Sequence, residues 1–291
     1  MLLTGAGGFV GAAISQHWQA SELELTTCDL HGASRITDVL DPKAVNALML
    51  EIKPRAVIHA AAITTSDDDL RLLEVNVRGT LHVLDAANRH GVKHLVLLSS
   101  SGVYAPINQP INERSPTSSA SPYALSKLLA EDIGAVGKSP ALTVWRLRLG
   151  PIYGSGERAS ETRSKTSLVQ MIAQAIRHQQ PVKLPRAVSD VYNWLHSKDL
   201  TALLETIVSR PNDGGVHLYN VAGAPTTGSQ LIAAFQAAAP NTDLQALLEW
   251  TALPPPRHGA MDCSRIRQEL GWTPQVPLST GILDYLQGVK P

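Results

Sequence analysis

Two hydrophobic patterns alternate along the first half of the chain. Apolar runs at Arg55 to Ala62 and His94 to Leu98 predict strands covered on both faces, and Ala141 to Leu149 predicts a further strand. Between them lie stretches of helical periodicity. One leads from Asp41 to Ile52 and stops at Pro54, a second runs from Leu70 to His90 and stops at Gly91, and a third opens at Ser121. Glu22 to Asp29 predicts a strand ending in an acid, and Met1 leaves only Leu2 and Leu3 as strand before a glycine turn. The first strand is therefore expected to be short, or the start trimmed. Strands and helices that alternate through short connections predict an α/β fold, a doubly wound parallel sheet with right-handed crossovers. The one long connection, Ala105 to Ser119, is Pro- and Ser-rich, and loops of that length in compact domains are usually functional.

The second half is less regular. Gly154 to Ser164 is polar and charged and reads as a mobile lid or linker, followed by a helix from Ser167 to Gln179. Val191 to His196 predicts a strand feeding a helix capped by Ser197, and Val216 to Val221 predicts another strand. Helices near 228–239, 262–270 and 278–287 complete a smaller, mostly helical part. The expected division is 1–150 for the parallel-sheet domain and 151–291 mainly for substrate, with about 191–222 returning to the sheet.

Composition narrows the partners. The 291 residues carry 25 basic and 25 acidic side chains, so no global field recruits nucleic acid or an anionic membrane. No apolar run is long enough to span a bilayer, and no secretory leader is visible. Two isolated cysteines, Cys28 and Cys263, support neither a disulfide framework nor a metal site, and point to a reducing cytoplasm.

Candidate chemistry begins at Thr4-Gly5-Ala6-Gly7-Gly8-Phe9-Val10-Gly11, where Ala12, Ala13 and Ile14 then open a helix. Glycines permit a tight strand-to-helix turn and close approach of a ligand, and the N–H groups at a helix start favour a phosphate. The spacing is GxxGxxG, which by itself also fits a plain tight loop. Asp29 lies 18 residues beyond Gly11, where a dinucleotide fold places the carboxylate that binds the adenosine ribose. That carboxylate would repel a 2′-phosphate, so NAD is expected over NADP, with Arg35 keeping NADP as the minority reading. His59, at a strand end, is taken as structural.

Tyr123 and Lys127 are four apart and share one helix face. A tyrosine titrates near about 10, so acting as a base at about pH 7 takes roughly 4 kcal/mol of help. A positive charge about 4 Å away supplies about that much at an effective dielectric near 20, and only about 1 kcal/mol in bulk water. Lys127 can therefore activate Tyr123 only in a partly enclosed site.

Together these residues resemble the extended short-chain dehydrogenase/reductase family, in its NAD-dependent epimerase/dehydratase branch. The likeness runs through the glycine turn, Asp38-Val39, His59-Ala60-Ala61-Ala62, Asn76-Val77-Arg78-Gly79-Thr80 and Ser99-Ser100-Ser101-Gly102-Val103-Tyr104. It continues through Tyr123 to Lys127, Trp194-Leu195-His196, Asp262-Cys263-Ser264 and Leu270-Gly271-Trp272. The resemblance implies a Rossmann-like fold, with Gly5, Gly8, Phe9, Val10 and Gly11 at the pyrophosphate turn. It implies Asp29 at the adenosine ribose, Asp38 and Val39 beside the adenine, and Ala60, Ala61 and Ala62 along the cofactor. Asn76 is then positional within its helix, Ser100 is the catalytic hydroxyl (Ser101 its possible substitute) and Tyr123 is the base or acid. Lys127 holds the nicotinamide ribose and lowers the tyrosine's pKa. No metal is implied. Helices 70–90 and 121–136 match those that pair across a two-fold axis in many relatives, so a homodimer is expected.

Departures bear on the substrate. Pro151 stands where nucleotide-sugar members commonly have an Asn, and Tyr192, before Asn193-Trp194, replaces a pyrophosphate-binding Arg. Thr166-Ser167-Leu168 carries no Asn-Leu pair, although Arg257 survives in a plausible position. Arg148, Arg158, Arg163 and Arg186 are candidates for holding a smaller anion. The expected function is an NAD-dependent oxidoreductase of a carbohydrate or sugar-acid hydroxyl. The alternatives are a nucleotide-sugar 4-epimerase or dehydratase with retained NAD, and a non-catalytic dinucleotide-binding protein.

Overall fold

Seven parallel strands carry the computed structural model, which describes residues 1–19, 22–66, 68–107, 109–157, 166–185, 190–251 and 259–288. The strands are β1 (Leu2–Thr4), β2 (Thr26–Asp29), β3 (Arg35–Ile36), β4 (Ala56–His59), β5 (His94–Ser100), β6 (Thr143–Leu149) and β7 (Val216–Val221). Their spatial order is β7-β6-β5-β4-β1-β2-β3, so the winding reverses between β1 and β4. In open α/β sheets the crevice beyond the strand ends at such a reversal is where ligands bind.

The register explains the unbroken apolar runs. Leu3, Ile58, Val96 and Trp145 stand side by side across four strands, and Leu2, Val57, Leu95 and Val144 form the next row. Successive side chains point to opposite faces, so each row feeds a separate core. The first packs on Ile14 and Trp18 of α1 (Phe9–Trp18) and on Leu200, Leu203, Leu204 and Ile207 of a helix at Ser197–Ser209. The second packs on Val45, Leu48 and Met49 of α2 (Pro42–Ile52) and on Val83, Leu84 and Ala87 further along. Capping fixes the start of α2, where Asp41 Oδ1 accepts from the Lys43 and Ala44 amides and Pro42 occupies the first turn.

The long periodic stretch after Leu70 is not one regular helix. It comprises α3 (Asp69–Leu73), a π turn at Glu74–Arg78 and α4 (Gly79–Arg89). The wider turn faces Asn76 inward, and Asn76 is buried. Helix α5 (Pro122–Val136) starts on Ser121, whose Oγ accepts from the Ala124 amide. Three predicted strands are clearly shorter than expected, and of the run Arg55 to Ala62 only Ala56–His59 is strand. Glu22 to Asp29 pairs only from Thr26, and Val191 to His196 divides into two-residue strands. Val191–Tyr192 runs antiparallel to Thr226–Thr227, and Leu195–His196 runs parallel to Ile152–Tyr153.

Beyond β6 the chain leaves the sheet and returns as β7, which pairs with β6 along its whole length. The excursion and the C-terminal helices share a core of their own. Leu168, Val169 and Ile172 of α6 (Leu168–His178) meet Tyr153, Trp194, Leu231, Phe235, Ile282 and Tyr285 there. Among the described residues, no helix is long and apolar enough to cross a membrane.

Candidate active site

The glycine turn sits at the reversal point and is closed by backbone. Gly5 has φ +76°, and a Cβ on it would lie 2.3 Å from the Ala61 amide nitrogen. A Cβ on Gly11 would lie 2.1 Å from the Gly5 carbonyl oxygen. Neither position admits a side chain. Gly8 precedes α1 and brings no side-chain acceptor to its first turn, whereas Asp41, Ser121 and Ser167 cap α2, α5 and α6. Asp29 braces the turn from the end of β2, its Oδ2 accepting from the Gly7 amide at 2.8 Å and its Oδ1 from the Leu30 amide at 2.6 Å.

Two cavities meet over this turn, sharing Gly5, Gly7, Gly8, Ala60 and Ala62. The larger, about 730 Å³, extends past Ala61 to Asp29, Asp38 and Val39. The smaller, about 330 Å³, extends past Phe9, Val10 and Gly11 to Ser100, Tyr123 and Lys127. Their union fits an elongated dinucleotide, with the Asp29 carboxylate at one end, the N-terminal end of α1 under the middle and Tyr123 and Lys127 at the other.

Asn76 locks the wall of this cleft. Its Oδ1 accepts from the Ile63 amide at 2.8 Å, while its Nδ2 donates to the Ile63 carbonyl and to Ser126 Oγ on α5. Its side chain is thus engaged with protein on both sides, tying the loop after β4 to the helix that carries Tyr123. His59 lies beneath in a second relay. Thr80 Oγ1 donates to the Asn76 carbonyl and so accepts from His59 Nε2, while His59 Nδ1 accepts from Thr4 Oγ1 at 2.7 Å. Burial, assisted by the nearby Lys127 charge, lowers the His59 pKa to about 3, so the ring is a neutral structural link.

At the reacting end, Ser100 is the last residue of β5. Its Oγ accepts from the Gly102 amide at 3.0 Å, which leaves its proton to be donated. Ser101 is buried at the start of a 3₁₀ turn and is not among the cavity-lining residues. Tyr123 and Lys127 lie one turn apart on α5, with Lys127 Nζ 5.8 Å from the tyrosine ring centre. The amine donates to the Leu98 carbonyl at 2.9 Å. Burial lowers its pKa to about 8, against a smaller upward pull from Glu131. Lys127 therefore keeps its positive charge at neutral pH within an enclosed site.

Arg148, expected as an anion holder, is instead bound inside the protein. Its guanidinium donates to both carboxylate oxygens of Glu131, at 3.0 Å from Nε and 2.7 Å from Nη2, and lies over the Tyr104 ring. Strand alternation turns it towards α5 rather than into the cleft. Tyr192 stacks on Trp194 and lines neither cavity, whereas Pro151 and Ile152 line the reacting end. Arg35 pairs with Glu51 at 2.9 Å on the surface. Arg158, Arg163, Arg186 and Arg257 lie outside the described residues. Sequence reasoning missed Thr64 and Ile152 in the lining and Glu131 behind Lys127. Glu131 had a signal, an acid one turn beyond Lys127 in an otherwise apolar face.

A parallel sheet reversing over a glycine turn, with an acid at the end of its second strand, defines a Rossmann-type dinucleotide-binding protein. The chain belongs to the NAD dependent epimerase/dehydratase family, whose model matches residues 1–222. It is 26% identical to a dTDP-L-rhamnose 4-epimerase of Burkholderia thailandensis, over 97% of this chain and 92% of that protein. It is also 26% identical to a uronate dehydrogenase of Pseudomonas syringae pv. tomato, over 78% of this chain and 75% of that one. Among solved structures, the UDP-glucose 4-epimerase of Thermus thermophilus in complex with NAD superposes with a TM-score of 0.81. That match has 25% identity and covers 99% of this chain and 97% of the other. Family and fold thus agree with NAD as cofactor.

The neutral His59 sets a pH dependence of stability. Unfolded histidine titrates near about 6.5, whereas folded His59 does so near about 3, so between these values the unfolded state binds the extra proton. Stability is complete above the unfolded value and falls as pH drops, by about 1.4 kcal/mol per pH unit from this one group. His196, lowered to about 4 chiefly by burial, acts in the same sense. Urea midpoints should fall between pH 7.5 and pH 5, and His59→Gln should flatten that slope. A wild-type midpoint that stayed level over this range would refute the assignment.

Proposed function

We propose that this chain is an NAD-dependent oxidoreductase acting on a carbohydrate or sugar-acid hydroxyl through Ser100, Tyr123 and Lys127. One observation carries the reading: all three side chains line the cavity that continues from the glycine turn. Bound in the cleft, NAD would supply the acceptor for the hydride leaving the carbinol carbon. Ser100 Oγ, already accepting from Gly102, donates its proton to the reacting oxygen and orients it. Tyr123 Oη takes the hydroxyl proton. Lys127 favours the phenolate form of Tyr123 by its charge before that transfer, which leaves the neutral phenol, and holds the nicotinamide ribose. Asp29 Oδ1 and Oδ2 keep lone pairs for the adenosine ribose beyond the two amides they already bind.

The uronate dehydrogenase relative supports a sugar acid, and the two 4-epimerases support a nucleotide sugar as the second reading. The substitutions favour the first. A charged hydrogen bond to phosphate is worth roughly 1.5–3 kcal/mol. Tyr192 and Pro151 supply neither the guanidinium nor the amide seen at those positions in the nucleotide-sugar pattern.

Assembly as a homodimer and residence in the cytoplasm belong to the same proposal. Helices α3, α4 and α5 expose Leu70, Leu81, Leu129 and Val136, apolar surface that a self-complementary contact would cover.

Three measurements test these points. Tyr123→Phe should abolish NAD reduction while leaving NAD affinity nearly intact, and Lys127→Met should harm both; near-wild-type turnover in Tyr123→Phe would exclude it as the base. Calorimetry should show UDP and UDP-glucose binding about tenfold or more weakly than a site with the arginine would bind them, and low-micromolar affinity would turn the reading to the epimerase. Light scattering at micromolar concentration should give twice the chain mass of 31.2 kDa, and a monomer mass would remove the dimer.

A further inference from the structure

We infer that the buried Glu131–Arg148 ion pair is a positioning device that sets the register of the catalytic helix on the sheet and so holds Lys127 and Tyr123 opposite Ser100. The inference rests on the Ser100–Tyr123–Lys127 reading above.

Three successive turns of α5 meet the sheet. Lys127 donates to the Leu98 carbonyl, Glu131 accepts from Ser99 Oγ and Arg148, and Gly134 lies so close that a Cβ would fall 2.5 Å from Leu97 Cδ1. The spacing 127, 131, 134 is that of one helix face. Ser99 and Arg148 are direct partners across β5 and β6, on the rung next to Ser100 and Leu149. Glu131 thus grips both strands one residue away from the catalytic serine and one turn away from the catalytic lysine. Arg148 is held from behind as well, lying over Tyr104, whose hydroxyl donates to Asn220 Oδ1, and reaching the Glu113 carbonyl at 3.4 Å.

Lone packing would register the helix less sharply, because apolar contacts are non-directional. A bidentate guanidinium–carboxylate pair is directional. Such a buried pair often adds little stability over well-packed apolar residues, so its value here lies in placement and charge.

The charge matters because few others reach the amine. His59 on β4 is neutral, Arg148 on β6 lies behind Glu131, and α5 itself brings Tyr123 and Glu131. The π turn and α4 present Asn76 and Thr80, while Arg71, Arg78, Glu74, Asp85 and Arg89 pair at the surface. Among these groups, the Glu131 carboxylate is the one that favours the protonated amine.

Two variants test this, one removing the charge and one replacing the pair with apolar bulk. In cofactor-free protein carrying ¹³C-lysine, the Lys127 Cε signal is assigned by its loss in Lys127→Met and titrated. In Glu131→Gln it should titrate about one pH unit lower or more, and the alkaline limb of kcat should move down with it. The double variant Glu131→Leu/Arg148→Met should melt within a few degrees of wild type, titrate Lys127 lower, and lose about tenfold or more in kcat with little change in sugar KM. An unchanged Lys127 titration in whichever variants fold, or a double variant with wild-type kcat, would overturn the inference. Should wild type oxidise no sugar, the functional reading fails alone, and the titration still decides the role of Glu131.

Discussion

Backbone meets backbone where β1, β4 and α1 converge, and that contact is the constraint on which the rest of the molecule depends. Gly5 approaches Ala61 and Gly11 approaches Gly5 closely enough that no Cβ fits. Because these strands and the helix can close to that distance, the amides of the turn stand at the mouth of the cleft. Asp29 then reaches the Gly7 amide from β2. A side chain at Gly5 or Gly11 would force the elements apart and open the floor on which both cavities rest.

The second half of the site is built from the opposite requirement, enclosure. An amine buried on α5 loses water, which weakens its hold on its proton, yet enclosure also makes its charge effective on a neighbouring phenol. Around this point the polar groups form closed sets. Asn76 satisfies Ile63 and Ser126, His59 spans Thr4 and Thr80, and Glu131 binds Ser99 and Arg148. The first ties the loop after β4 to α5, the second ties α4 to the sheet, and the third ties α5 to β5 and β6 beside Ser100.

Much of this was legible in the sequence because its signals are local. Unbroken apolar runs need only the pleat of a doubly covered sheet, and the glycine turn, which by spacing alone also fits a plain tight loop, is read through the motifs that accompany it. The Tyr123–Lys127 pair needs only one helical turn. Asp29 was legible for the same reason, as an acid ending a strand at a fixed distance from the turn. The π turn was not, because it depends on Asn76 finding Ile63 and Ser126 from two other elements.

Arg148 shows the limit most clearly. Its position next to Leu149, before the turn at Gly150, matches that of a ligand-facing side chain equally well, and nothing within β6 distinguishes the alternatives. The sequence by itself determined the parallel sheet, through the period of its apolar runs, and through its resemblance to a family it marked the glycine turn and Ser100, Tyr123 and Lys127 as the candidate site. The tertiary structure alone decided that the arginine faces Glu131 rather than the cleft, that His59 is a neutral strut, and that Ser100 rather than Ser101 lines the cavity. Those outcomes depend on which side of a strand meets which helix, and that is set by contacts between residues far apart in the chain.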